Sequence, residues 1–272
     1  MYYLDYKLQG GFIHNWLIAG PHAVPVEDLK DYQGPDFKLQ IAKSYYQRLS
    51  EIHEPPQEDE TFQVGESELK WSYYRCQDDH LVDQSTFCHT THHLRAWAYS
   101  QIAAADARQI SAILTTNGPA DVWINGHHVH RQEHFYHQDP HSVPFEANLT
   151  EGWNEVLVRF EEVAARECPY GMALQITEGL EPESAVRVPT YMEHVENRLK
   201  FEHAFELAHI EHDIANGAQS TTLHWSEKLD MRLLYTYRLQ DWRNRIYLEG
   251  APTTGAGESV NIGLPGGLEQ GQ

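Results

Sequence analysis

Cysteine is scarce in this chain of 272 residues: Cys76, Cys88 and Cys168 are odd in number and widely spaced. They form no CxxC pair, which excludes a disulfide framework and a thiolate zinc site and leaves buried thiols as the simplest reading. Positive charge is also short, with 20 Lys and Arg against 40 Asp and Glu and a formal net charge of -20. Such a chain repels phosphate backbones and anionic lipid, so neither nucleic acid nor a membrane is an expected partner. No apolar run reaches the roughly 18 residues that a bilayer span requires. The opening MYYLDYKLQGGF lacks the basic end and apolar centre of a signal peptide, which points to a cytoplasmic chain. Neither a Gly-x-Ser-x-Gly elbow nor a P-loop occurs, and no GxGxxG joins a strand to a helix, so no catalytic residue is assigned and no cofactor is expected.

Hydrophobic residues, at 41% with 11% aromatic, are enough to build a core, and the length suits one large domain or two modest ones. Phe12 to Ile18 is an apolar segment that Ala19-Gly20-Pro21 should stop. A short helix is expected near Asp36 to Tyr46, and 49–61, with paired prolines and acids, reads as a surface loop. Beyond it the periodicity becomes two. Phe62–Val64, Leu69–Arg75, His92–Ser100, Gln109–Thr116, Ala120–Ile124, Ser142–Phe145, Asn154–Phe160 and Met172–Ile176 are strand candidates, rich in aromatic or β-branched residues. In Asn154–Phe160, Val156, Val158 and Phe160 share one face while Glu155, Leu157 and Arg159 share the other. Asn125-Gly126 is a strong hairpin signal, because both positions tolerate positive φ. Residues 178–191 read as linker, Met192 to Ile214 as a helix with two apolar stripes, and the remainder as short strands.

Several constellations bear on chemistry. Between His127 and His141 stand six of the 18 histidines, with Glu133 and Asp139 among them. A metal set of His128, His130, Glu133 and His134 resembles the first cupin motif, with His128 and His130 projecting from one side of an extended strand; solvated loop histidines are the competing reading. Alternation sends His92 and His93 to opposite faces. Glu161-Glu162 closes a strand and reads as a solvated edge. Aromatics with polar neighbours suit a sugar ring, which has an apolar CH face and a rim of hydroxyls. The residues assigned to such a site are Trp71, Tyr73, Arg75, Arg95, His130, Glu133, His134 and His137. Core packing competes for the same rings, above all for Trp97 and Trp123. Acidification between about pH 7.5 and 5.5 is expected to act on the 127–141 region as imidazoles charge.

ILTTNGPADVWINGHHVHRQEHF, FEANLTEGWNEVLVRFEE and MALQI, over residues 113–176, resemble the jelly-roll, galactose-binding-like accessory domain of many glycoside hydrolases. Trp123, Ile124, Asn125 and Gly126 match its strand-and-hairpin motif; Leu149, Gly152, Asn154, Val156, Val158 and Arg159 match its second, and Asn15 to Pro21 its opening, with His22 in place of the usual Phe. The resemblance implies a bacterial, non-catalytic carbohydrate-binding or structural region from the N-terminus of a larger glycoside hydrolase-like protein. Its partners would be a glycan or oligosaccharide and a downstream catalytic domain in the same polypeptide. The alternative is a cupin-like metal-dependent enzyme. The expected fold is mainly β: a jelly-roll β-sandwich, then a linker helix, then part of a second β-sandwich-like domain. By residue, 1–60 is a lead-in strand and loops belonging to the sandwich, 61–180 the jelly-roll domain, 181–216 linker and helix, and 217–272 a second β domain expected to be incomplete.

Overall fold

Period-two alternation of apolar and polar residues is carried into long antiparallel strands. The computed structural model describes residues 2–136, 139–210, 220–226, 236–240, 246–251 and 259–264. The chain divides into two compact units, Met1–Met192 and Glu193–Gln272. In the first unit the elements are β1 (Tyr2–Lys7), β2 (Asn15–Pro25), α1 (Phe37–Tyr45), β3 (Thr61–Val64), β4 (Ser67–Lys70), β5 (Ser72–Arg75), β6 (Val82–Asp83) and β7 (Thr86–Ala104). They are followed by β8 (Arg108–Thr116), β9 (Ala120–Ile124), β10 (His127–Gln132), β11 (His141–Leu149), β12 (Gly152–Cys168), β13 (Gly171–Glu178) and β14 (Ala185–Thr190).

Eight strands form one sheet in the order β1-β14-β7-β12-β9-β10, with β2 pairing β7 and β5. Four form a second sheet, β11-β8-β13-β6. The sheets face each other across a core that takes Ala98 and Ile102 from β7, Val158 and Phe160 from β12, Ala112 and Leu114 from β8, and Met172 and Leu174 from β13. Burying a side chain such as Phe160, which is 0% exposed, contributes about 1.5–3 kcal/mol. The architecture is therefore the mainly β sandwich expected from the alternation.

The outer face of the larger sheet is covered too. Leu17, Trp71, Trp97, Tyr99, Trp123 and Leu157 form a second apolar cluster there, joined by Ile52, Phe62 and Leu69 from the segment that folds over them. Helix α1 starts after Gly34-Pro35, uses the helix formers Lys38 to Lys43, and buries Ile41 and Ala42. It ends where Tyr46 turns extended.

Three differences from the sequence reading have physical causes. Strand β2 does not stop at Gly20-Pro21; a register shift between Ala19 and His22 lets it resume pairing with β7 as far as Pro25. Gly20 is required there, since its φ is +116° and a Cβ would lie 2.9 Å from the Arg95 carbonyl oxygen. Residues 178–191, read as linker, contain β14, which pairs with β1 and β7; alternation over six residues ending in Pro189-Thr190 is too short to stand out. Glu161-Glu162 is no strand end, because β12 runs on to Cys168.

In the second unit, α2 (Met192–Glu206) is followed by β15 (His209–Ile210), β16 (Ser220–His224), β17 (Tyr237–Gln240), β18 (Ile246–Gly250) and β19 (Val260–Gly263). The helix ends at Glu206, short of the expected Ile214, because His209 and Ile210 turn extended and pair with His224 and Leu223; Ile214 itself lies outside the described residues. Strands β15, β16 and β19 make one sheet and β17 pairs β18. Ala204 and Trp225 are buried with Phe201, Ala208 and Leu223 around them. Among the described residues no helix is long and apolar enough to cross a membrane.

Two turns of the first unit are clasped by asparagine. Asn125 and Gly126, with φ of 50° and 75°, close the β9–β10 hairpin as their residue types predict. Asn125 Nδ2 donates to Asn154 Oδ1 at 2.8 Å, and Asn154 also accepts from Thr150 N and donates to the Thr150 and Gly152 carbonyls. Asn154 is 0% exposed, so Asn154→Ala strands several buried polar groups and is expected to destabilise the unit by about 3 kcal/mol, read as a lower urea midpoint by tryptophan fluorescence.

Candidate functional site

Arg159 and Glu161 follow Leu157 on the outer face of β12, and the register places charges beside them: Arg159 stands between Trp97 on β7 and Asp121 on β9, Glu161 opposite Arg95. Asp121, Arg159 and Glu161 are all 0% exposed. Arg159 Nη2 donates to Asp121 Oδ2 at 2.9 Å, and Arg131 Nη1 reaches the same oxygen at 2.6 Å. His128 Nε2 lies 2.7 Å from Asp121 Oδ1. Isolated buried ions would cost several kcal/mol each, so such charges persist only when paired and hydrogen-bonded.

The segment 36–55 lies across these charges as a strap. Its backbone carbonyls take several of the donors that the carboxylates leave over: Arg159 donates to Leu49 O at 2.8 Å and to Gln47 O, Arg95 Nη2 to Tyr45 O at 2.7 Å, and Trp97 Nε1 to Ser50 O at 3.2 Å, while Arg95 Nε, Arg131 Nη2 and Arg159 Nε keep no hydrogen-bond partner. Glu51 returns a carboxylate to Arg95 at 3.0 Å. Arg131 stacks on the Tyr46 ring at 3.8 Å and His93 on Tyr45 at 4.5 Å. Adjacent glutamates titrate in opposite directions here. Burial pushes the Glu161 carboxyl up, but the His93 hydrogen bond and the charges of His93, Arg95 and Arg159 together hold it below the usual range. Burial dominates at Glu162 and raises it despite Lys38 at 2.8 Å.

Where α1 meets the chain leaving β10, a cleft of about 380 Å³ opens. Phe37, Phe135 and Tyr136 supply its rings and Asp36, Lys38, Glu133 and His134 its polar groups. Tyr136 is fixed by its backbone N–H on Asn117 O at 2.7 Å and by stacking on His141 at 4.5 Å. Glu133 is held by Arg131 at 2.9 Å; that hydrogen bond, against a smaller effect of burial, lowers its carboxyl. The volume falls within the ordinary range of small-ligand sites, roughly 300–1,000 Å³.

The residues assigned from sequence are dispersed. Glu133 and His134 meet at the cleft. Trp71, 1% exposed, and Arg95, 5% exposed, are closed in by the strap and the β3–β4 hairpin, one packed in the outer apolar cluster and the other ion-paired, so neither faces solvent as a ligand platform would. Tyr73 accepts from Asn15 at 2.9 Å and stacks on Tyr6, and Arg75 stands opposite Asn15. His137 lies outside the described residues. His128 and His130 do not share a side. A register shift makes His128 pair with Trp123 and His130 with Val122, so the extra residue reverses the alternation. His128 therefore meets Asp121 on the outer face, while His130 stacks on Phe145 at 4.7 Å. The set His128, His130, Glu133 and His134 does not converge, and among the described residues no group of three or more His, Cys, Asp or Glu is placed to hold a metal.

Sequence reasoning missed Asp121 and the inward role of Glu161. The available signal was parity: Arg159 and Glu161 continue the face of Leu157 inside a strand whose other face is apolar.

No family model matches the chain. No curated protein matches it. Similar solved structures include a family 35 carbohydrate binding module from Clostridium thermocellum, at 11% identity and TM-score 0.25 over 37% of this chain and 89% of that one. A beta-glucuronidase from an uncultured Clostridium sp. is similar at 11% identity and TM-score 0.25, over 97% of this chain and 40% of that one. A GH31 alpha-xylosidase from Xanthomonas citri is similar at 14% identity and TM-score 0.27, over 35% of this chain and 10% of that one. The chain thus spans two fifths of the glucuronidase and a tenth of the xylosidase. The first unit is a mainly β sandwich whose outer sheet face carries a strapped-down ion network beside an aromatic cleft.

Asp121→Ala leaves two guanidinium groups without their shared carboxylate and is expected to destabilise the first unit by about 3–5 kcal/mol, measured by urea unfolding. Acid should weaken the fold earlier than carboxylate protonation alone. Burial holds His14, His22 and His130 below the ordinary imidazole range. The unfolded chain then binds more protons than the folded one, so stability is complete above about pH 6.5 and falls as pH drops from there through the lowered values. His130→Leu should flatten part of that slope in unfolding curves between pH 7 and 5; an unchanged slope would remove His130 from the account.

Proposed function

We propose that the first unit is a non-catalytic carbohydrate-binding accessory module and that the chain is the N-terminal part of a larger glycoside hydrolase-like protein. The observation that carries this reading is the cleft of about 380 Å³, in which three aromatic rings stand beside Lys38, Glu133 and His134. A pyranose presents an apolar CH face to such rings, while its hydroxyls both donate and accept, which suits a wall holding an ammonium, a carboxylate and an imidazole. The motif residues support the accessory role differently: Trp123, Asn125, Asn154 and Arg159 are all engaged in packing, turn clasps and ion pairing, which leaves none of them for chemistry. The downstream catalytic domain belongs to the same proposal. Against the cupin-like alternative stands the bulge that parts His128 from His130.

The test is calorimetric titration of the full chain with neutral disaccharides and trisaccharides. Binding is expected to fall about tenfold in Phe135→Ala and in Tyr136→Ala, the size of a binding hot spot. Absence of binding, or binding indifferent to both substitutions, overturns the assignment of the cleft. Stoichiometric zinc, iron or manganese in the purified protein would favour the metal-dependent alternative.

A further inference from the structure

Past the strap, the outer face of the eight-stranded sheet carries a second constellation. Asp5 on β1 stands opposite Arg187 on β14, Arg187 opposite Gln101 on β7, and Gln101 opposite Glu155 on β12. Directly opposed residues project to one side. The four therefore form a row across four strands, about 14 Å long at the usual inter-strand spacing.

Arg187 is held before any ligand arrives. Its guanidinium lies 3.8 Å from the Tyr3 ring centroid and 4.1 Å from that of Trp153. Its Nε donates to Gln101 Oε1 at 2.5 Å, and Gln101 Nε2 donates to the Tyr99 hydroxyl at 2.7 Å. Gln101 is only 4% exposed. Once Nε is fixed, the Arg187 Nη groups have no carboxylate partner among the described residues. The carboxylates of Asp5 and Glu155 likewise have no hydrogen-bond donor among the described residues. Glu155 is half-buried, and burial alone raises its carboxyl. Trp153 is 36% exposed beside the row. Under the strap the charges are matched by ion pairs and carbonyls; here they are set out in register and left open.

We propose that this row is a binding platform for a neutral oligosaccharide, with CH faces stacked on Trp153, hydroxyls donating to Asp5 and Glu155, and hydroxyl oxygens accepting from Arg187. The charge pattern selects that chemistry. One cation between two anions leaves the row net negative, so uronate or sulfated chains are disfavoured, whereas a polyol supplies both donors and acceptors. Its length across four strands suits several sugar units instead of one ring. Because Arg187 is already immobilised, little side-chain freedom is lost on binding. The platform shares no residue with the cleft, so it extends the carbohydrate reading to a separate surface.

The experiment titrates the full chain with cellohexaose, xylohexaose, mannohexaose and galactohexaose, with hexagalacturonate as the charged control. At least one neutral hexasaccharide should bind and hexagalacturonate should not. Trp153→Ala should weaken that binding about tenfold and Trp153→Phe should restore most of it. Arg187→Lys keeps the charge but loses the planar stack, and should weaken binding nearly as much as Trp153→Ala. Unchanged urea midpoints show that these variants remain folded. Binding that survives both Trp153→Ala and Arg187→Lys, a preference for hexagalacturonate, or no neutral hexasaccharide bound overturns the platform. Hexasaccharide binding lost in Phe135→Ala but kept in the Trp153 and Arg187 variants would overturn the platform while leaving the cleft assignment standing; disaccharide and trisaccharide binding indifferent to Phe135→Ala and Tyr136→Ala would overturn the cleft while leaving the platform standing.

Discussion

Arg159 is a guanidinium with 0% exposure in the middle of a sheet, and much of the first unit is arranged to make that tolerable. A single carboxylate does not saturate five donors, so Asp121 at 2.9 Å is supplemented by the carbonyls of Gln47 and Leu49, with Trp123 facing the guanidinium at 5.1 Å. Those carbonyls belong to a loop rich in acids and prolines, which would otherwise have little reason to lie on a sheet. Once the strap is down, Trp71 and Trp97 become interior, and α1 is brought beside the end of β10 to make the cleft wall. One buried cation thus links the sheet, its cover and the cleft.

The electrostatic pattern separates the buried charges from those at the surface. With 20 Lys and Arg against 40 Asp and Glu, cations are the minority, and among the described residues the buried Arg95 and Arg159 are committed to Asp121, Glu51, Glu161 or backbone oxygen. The cleft and the Arg187 row differ from that interior because their polar groups are presented at the surface next to aromatic rings. The two surfaces differ from each other in shape: the cleft is concave and enclosed by rings, the row flat and extended across strands.

Much of the sandwich was legible because strand alternation is a local property. Ala120–Ile124 forms β9 with the boundaries read from sequence, and helix α1 begins one residue after its expected start. The strands β1, β6 and β14 were not legible: β6 has two residues, β1 opens on the adjacent aromatics Tyr2 and Tyr3, which blur its alternation, and β14 ends in Pro189-Thr190, which reads as a turn. Of the candidate site, Glu133 and His134 were found through the density of titratable residues around them. Lys38, Phe37 and Asp36, almost a hundred residues earlier, could not be joined to them by any local pattern. The bulge between His128 and His130 was equally hidden: one extra residue reverses which way a side chain points, and nothing in His-Val-His announces it.

The sequence alone determined which stretches extend, which faces of β12 are apolar and polar, and where Asn125-Gly126 reverses the chain. These follow from φ/ψ preference and period, which neighbours in the chain fix among themselves. Tertiary structure decided that Glu161 and Arg95 are interior ions, that Trp71 packs in a covered cluster, and that Asp5, Arg187, Gln101 and Glu155 line up across four strands. Burial and register depend on groups far apart in sequence. A charged side chain on a strand has the same local signature whether it faces water or a strap folded back over it.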